Sequence, residues 1–247
     1  MSVAAVLPVD VLAFGAHPDD VELGCGGTLA SLAGRGRGVG IVDLTRGEMA
    51  TRGTPETRVR EAAEAGRLLG ARFRANLDLG DGDLRTDRAA QLLVVDAVRR
   101  ARPRLVLAPF PEDRHPDHAR AGRLVGEAAW YAGLAKLDTG LAAHRPDQIV
   151  FYAAYALLSP TFLVDVTATF ETKVAALRAY ASQFHGAPSG EPETYVSSKD
   201  FWEGVEARAR SYGRIANVPY AEGFVSKAPP TLADPAAAFR GYEGAKP

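Results

Sequence analysis

Between residues 11 and 152 the chain alternates short apolar runs with longer stretches whose apolar residues recur at helical spacing. Val11–Gly15, Val39–Leu44, Leu105–Ala108 and Ile149–Tyr152 are too short and too apolar for surface helices and predict buried strands, and Ala75–Leu79 reads as a further strand between the second and the fourth. Between them, Gly26–Ala33, Thr57–Leu69, Asp87–Arg100 and a segment from about His115 to Leu134 predict helices. The third carries Leu92, Val95 and Val98 on one side, and Gly34-Arg35-Gly36 and Gly70 supply stop signals. Strands alternating with helices predict an α/β fold with a mostly parallel, Rossmann-like sheet flanked by helices on both faces. Beyond Tyr152 the pattern loosens. Leu163–Val166 reads as a strand, Phe170–Gln183 and Lys199–Tyr212 as helices, Gly186–Ser198 as a loop, and the chain from Lys227 as extended. With no repeat or low-complexity linker, the expectation is one domain, residues 1–247, with an α/β core over 1–152 and a C-terminal elaboration over 153–247.

Composition narrows the function classes. The 247 residues are 47% hydrophobic and 24% charged, with a net charge of −1. That balance favours neither nucleic acid nor an anionic membrane as partner. There is no long apolar span and no secretory leader pattern. Cys25, the only cysteine, excludes an intrachain disulfide, in keeping with a cytoplasmic protein.

Chemistry enters through the histidines. Three of the five lie in two short words, His17-Pro18-Asp19-Asp20 and His115-Pro116-Asp117-His118. Each word follows a predicted strand, and in parallel sheets ligands bind beyond the carboxyl ends of strands, where the strand order reverses. If the first and fourth strands are neighbours, the two words meet. Pro18 biases His17 towards extended backbone, and Asp20 follows three residues later. His115 and His118, three apart at a helix start, face one side, so that one can bind metal while the other works on substrate. A set of two imidazoles and one carboxylate with open positions is the plan of a catalytic metal site, and would accept Zn, Co, Ni or Fe. Asp19 then fits a base for water, His115 an acid for a leaving amine, and Asp117 a partner orienting an imidazole. The contrary expectation is that these residues merely cap helices and form turns. Rival functions are a dinucleotide oxidoreductase using Gly24-Cys25-Gly26-Gly27 and Asp43, a Cys25 nucleophile, and a non-catalytic metal module. The first lacks the third glycine of its motif, position 29 being Leu. Small residues packing a helix start explain the cluster better. His144 and His185 read as surface or satisfied histidines.

The segment Gly15-Ala16-His17-Pro18-Asp19-Asp20, with Glu22 and the glycine cluster, resembles the LmbE-like (PIG-L) family of zinc-dependent N-deacetylases, and Pro116-Asp117-His118 resembles its second signature. Thr45-Arg46-Gly47-Glu48, Thr51-Arg52-Gly53-Thr54 and Glu112 to His118 resemble the bacillithiol-pathway branch. The resemblance implies Zn2+ held by His17, Asp20 and His118, with Asp19 as general base and His115 as the charged or acidic partner. It further implies Glu48, Arg58 and Arg145 as substrate-binding residues, and Tyr195 as the nearest candidate for a C-terminal substrate tyrosine. The implied substrate is N-acetylglucosaminyl-malate, with a chito-oligosaccharide as the alternative, and the implied assembly is a homo-oligomer, frequently a hexamer. A malate conjugate calls for guanidinium partners. Arg46, Arg52, Arg58 and Arg145 are the candidates. Against this, Arg52 reads as solvated, and Arg58 and Glu61 read as a surface pair on one helix.

Overall fold

Five consecutive buried residues, Val11–Gly15, form β1 at the middle of the molecule. The computed structural model describes residues 6–184 and 191–234. Within them β1 is followed by α1 (Asp20–Gly34), β2 (Val39–Asp43), α2 (Pro55–Leu68), β3 (Phe73–Asn76), α3 (Arg88–Ala101), β4 (Leu105–Pro109), α4 (Pro116–Ala132) and β5 (Gln148–Tyr152). Then come β6 (Phe162–Asp165), a 3-10 turn, α5 (Phe170–Arg178), α6 (Lys199–Ala216) and β7 (Ala221–Ser226). The seven strands make one sheet in the order β3-β2-β1-β4-β5-β7-β6. The first five are parallel. β7 runs antiparallel to β5, and β6 antiparallel to β7. Strands from the C-terminal region therefore extend the same sheet.

Side-chain alternation along each strand divides the core in two. Leu12 and Phe14 pack with Val94, Val98, Leu124 and Val125 of α3 and α4. Val11 and Ala13 pack on the other face with residues of α1, α2, α5 and α6, including Leu29, Ala65, Leu177 and Phe201. The predicted two-sided α/β architecture is what forms.

β1 lies between β2 and β4, so the order of strands reverses there, and the crevice between the ends of β1 and β4 is where such a sheet holds a ligand. His17 follows the end of β1 and His115 precedes α4, the helix after β4.

Several predicted boundaries move. Helix α1 begins at Asp20, six residues before the expected Gly26, because close packing outweighs the poor helix propensity of glycine. A Cβ on Gly24 would stand 1.9 Å from the Tyr152 ring, and one on Gly27 2.9 Å from Val166. The helix is kinked at Cys25, whose φ of −145° is not helical. Strand β3 lies at 73–76 rather than 75–79, since Phe73 sits over Gly40 and fixes the register with β2. Helix α5 ends at Arg178, short of Gln183. Strand β7 was not predicted. Its buried Glu222 breaks the apolar pattern of a strand, and accepts hydrogen bonds from the N–H groups of Gly27 (3.0 Å) and Thr28 (2.7 Å) just after the kink. Residues 227–234 are without helix or strand, and His185 lies outside the described residues.

Candidate metal centre and catalytic site

The turn after β1 is tight: a Cβ on Gly15 would fall 2.8 Å from the His17 carbonyl. Asp19 adopts φ 117°, a left-handed conformation that strains a residue with a Cβ. Asp20 Oδ2 accepts the backbone N–H of His17 at 2.9 Å and lies 3.4 Å from its Nδ1. The two carboxylates then part. Asp20 Oδ1 meets His118 Nε2 at 3.1 Å, whereas Asp19 Oδ2 receives Arg58 Nη2 at 3.2 Å.

The second word forms the start of α4. Pro116 occupies the first turn, where its missing N–H is no loss, and His115 is the cap, its Nδ1 accepting the N–H of Asp117 at 3.2 Å. This puts the proton of a neutral His115 on Nε2. His118 is 1% exposed. Its Nδ1 lies 3.5 Å from Asp113 Oδ1, an oxygen that also accepts the His115 N–H. The rings of His115 and His118 stack at 4.5 Å, and Tyr155 lies parallel to His118 on 5.4 Å centroids.

Ligand atoms of His17, Asp20 and His118 all lie within 4.8 Å of one another. Two of them, Asp20 Oδ1 and His118 Nε2, are buried and make no hydrogen bond of acceptable geometry. Buried polar atoms left this way are costly unless something binds them. Two nitrogens and an oxygen around one point suit a divalent transition ion with positions left over. A second group, His17, His115 and Asp117, meets the same distance criterion.

The charges agree. Burial opposes a charged His118, but the adjacent Asp20 carboxylate prevails and holds its pKa at about 9. Burial likewise opposes a charged His17, and hydrogen bonds to Asp117, Asp20 and Asp81 outweigh it. Asp20 stays well below the usual carboxylate range despite its burial, because His118 and His17 face it. Burial lifts Asp19 to about 7, with Arg58 pulling the other way. Burial and the positive His118 lower His115.

The expected residues separate into two sets. His17, Asp19, Asp20, His115 and His118 converge, and Arg58 joins them through Asp19. Arg58 is buried under Tyr180, not paired with Glu61 on a surface. Glu61 instead binds Ser182 N and Oγ at 2.8 and 2.7 Å. Glu48 lies nearby, with its oxygens accepting the N–H groups of Arg46 (3.1 Å) and Asp81 (2.9 Å). Arg145 is not brought to the cluster by this chain. It lies 4.0 Å over the Trp130 ring, twelve residues along α4 from His118 and so about 18 Å away. Arg52 is not solvated: it is 6% exposed and donates to the carbonyls of Ser182 (2.9 Å) and Pro192 (3.2 Å). Tyr195 is 64% exposed, with Arg114 between it and Tyr155.

Three site residues escaped the sequence reading: Asp81, 3.0 Å from His17 Nε2, Asp113 and Tyr155. Asp113 falls in the second word's flank, and its spacing before His118 was the signal for it. The others carry no local signal. The rival readings lose their basis. Asp43 is gripped by Arg74 at 2.7 and 2.8 Å, which leaves no carboxylate for a ribose. Burial raises the Cys25 thiol well above its ordinary value, against a thiolate nucleophile. His144 is satisfied, with Nε2 2.7 Å from the Pro103 carbonyl.

Residues 12–129 match the family model described as PIG-L, GlcNAc-PI de-N-acetylase. The chain is also 33% identical over 232 residues to the diacetylchitobiose deacetylase of Thermococcus kodakarensis, covering 86% of this chain and 81% of that one. The chain belongs to the PIG-L family. Among solved structures, the conserved protein TT1542 of Thermus thermophilus superposes with a TM-score of 0.83 at 43% identity, over 92% of this chain and 98% of the other. The 4-oxalmesaconate hydratase of Pseudomonas putida is 27% identical over 244 residues, 88% of this chain and 89% of that one. As a PIG-L member the chain places its two histidine words where the first and fourth strands of the sheet end. No helix among the described residues is long and apolar enough to cross a membrane.

Proposed function

We propose that this chain is a zinc-dependent amidohydrolase that removes the acetyl group from an N-acetylglucosamine unit, with a short chito-oligosaccharide as substrate. The observation that carries the reading is the buried, unbonded pair Asp20 Oδ1 and His118 Nε2, 3.1 Å apart and beside His17. His17, Asp20 and His118 would hold the ion, which when bound supplies Lewis acidity to a carbonyl and acidifies water. Asp19 takes the proton of the attacking water, and its burial keeps its affinity for that proton near neutrality. Arg58 keeps Asp19 in place. Water oxygen adds to the acetamide carbon, the C–N bond breaks, and the amine leaves with the proton that Asp19 took from the water, while the Nε2–H of neutral His115, whose tautomer the Asp117 N–H selects, donates a hydrogen bond to the carbonyl oxygen as charge develops there. The products are acetate and a free amine.

Two points favour the chito-oligosaccharide over the malate conjugate. One is the similarity to a diacetylchitobiose deacetylase over most of both chains. The other is that the arginines named for malate are engaged elsewhere: Arg46 with Asp78 (2.8 Å), Arg52 with two carbonyls, Arg58 with Asp19 and Arg145 with Trp130. The similarity to a hydratase supports a second reading, in which the same base and acid add water across a carbon–carbon double bond.

A panel assay separates these. Purified protein of known metal content is given diacetylchitobiose, N-acetylglucosaminyl-malate, N-acetylglucosamine and 4-oxalmesaconate. Amine and acetate release should be fastest from diacetylchitobiose. Preference for the malate conjugate would overturn the substrate assignment. Hydration of 4-oxalmesaconate without acetate release from any amide would overturn the reaction class.

A further inference from the structure

We propose that Asp81 is a positioning residue for the metal centre: it holds the Nε2–H of His17 and so presents the Nδ1 lone pair to the ion. The inference rests on the metal reading above. A neutral imidazole carries one proton, and whichever nitrogen donates it to a fixed acceptor leaves the other as a ligand. His17 has both kinds of neighbour. Its Nδ1 is 3.4 Å from Asp20 Oδ2, on the side of His118. Its Nε2 is 3.0 Å from Asp81 Oδ1 and 3.5 Å from Asp117 Oδ2. Asp81 is the nearer. Asp117 Oδ2 already accepts the N–H of Gly82 at 2.7 Å. In Asp81 it is Oδ2 that takes the Met49 N–H (2.9 Å), while Oδ1 faces the imidazole.

The loop that carries Asp81 is built to hold it there. Asp78, Gly80 and Gly82 have φ of 53°, 88° and 75°, a run of left-handed residues that folds the chain sharply after β3. The loop is fastened on both sides of Asp81. Glu48 Oε1 accepts the Asp81 N–H, Asp81 accepts from Met49, and Gly82 donates to Asp117 at the start of α4. Glu48 thus acts on the centre through the backbone of Asp81. His118 has the matching arrangement with the nitrogens exchanged, Nδ1 on Asp113 and Nε2 towards Asp20. Each imidazole of the set therefore has a carboxylate on its far nitrogen, the arrangement that fixes ring orientation in metal sites.

The competing use of the same nitrogen is a second ion, held by His17 Nε2 with His115 and Asp117. Zinc affinity of the full chain, by chelator competition, and zinc stoichiometry distinguish the two. Wild-type protein should bind one ion, and long-range 1H–15N couplings of the loaded protein should place the His17 proton on Nε2. Asp81→Ala should lose roughly 10–100-fold in affinity. Asp81→Asn keeps one acceptor oxygen, which can serve the His17 Nε2–H or the Met49 N–H but not both; it should lose less than Asp81→Ala, and it carries the test if Asp81→Ala fails to fold. Asp81→Glu should recover part of the loss. A merely structural Asp81 would lower the melting temperature of the variants and leave zinc affinity unchanged, which overturns the inference. Two ions in the wild type would overturn it also. A wild type that binds no zinc would instead remove the metal reading beneath it.

Discussion

Stripping the ion and scanning pH should expose the charge balance of the site. In the metal-free protein Asp20 holds His118 at about 9, against an ordinary 6.5. A group raised in the folded state stabilises it below its ordinary pKa and loses that contribution as pH climbs through the raised value. The pH window is therefore 6.5 to 9. With about 1.4 kcal/mol per pKa unit, the contribution of the pair is on the order of 3 kcal/mol. The metal-free protein should lose stability across that window, measured by urea unfolding. Zinc binding should run the other way, because the ion must displace the His118 proton. At pH 7 only about one molecule in a hundred carries a neutral His118 and at pH 9 about half do, so the apparent affinity should rise about fiftyfold between pH 7 and 9. The raised His17 can only steepen that slope. Calorimetry in buffers of different ionisation enthalpy would count the protons released per zinc, and at least one is expected at pH 7. Affinity independent of pH from 7 to 9, with no proton release, would refute the reasoning.

Other perturbations separate the roles. Asp19→Asn should bind zinc as the wild type does and lose on the order of 10²–10⁴ in kcat, which metal analysis and amine release check together. His115→Ala should lower kcat by at least about a hundredfold with zinc stoichiometry unchanged. Equal loss of zinc would mean that His115, not His118, is the ligand. Arg58→Ala leaves Asp19 buried without its cation. It should cost about 3 kcal/mol in urea unfolding, and should move the acid limb of the rate profile to higher pH, since Arg58 is what lowers Asp19. Gly24→Ala should lower the melting temperature, because the new methyl collides with Tyr152, itself fixed by a 2.7 Å bond to the Phe14 carbonyl.

The sheet core was legible because β1, β2 and β4 are nearly pure apolar runs buried on both faces, and nothing else accommodates such runs. The meeting of His17, Asp20 and His118 was legible because two words with the same ligand chemistry each followed a strand. What failed to show were arrangements made by packing between distant segments. The start of α1 depends on Tyr152, far along the chain from Gly24, lying where a Cβ would be. Strand β7 conceals itself behind Glu222, a buried carboxylate that serves the kink in α1 and pairs with Lys173. Arginine is ordinarily exposed, so the burial of Arg52 and Arg58 could not be read from their identity. Both satisfy polar groups, the carbonyls of Ser182 and Pro192 in one case and Asp19 in the other. Asp81 has no motif of its own, and only the loop's left-handed turns carry it to His17.

The central claim is that one divalent ion, shared by two distant segments, is required to hydrolyse an acetamide. Chelator-stripped protein titrated with zinc, while acetate release from diacetylchitobiose is followed, tests it directly. Activity should be absent without metal, rise linearly with added zinc and break at one equivalent per chain. Undiminished acetate release from metal-free protein, or zinc binding that leaves acetate release at zero, would contradict it.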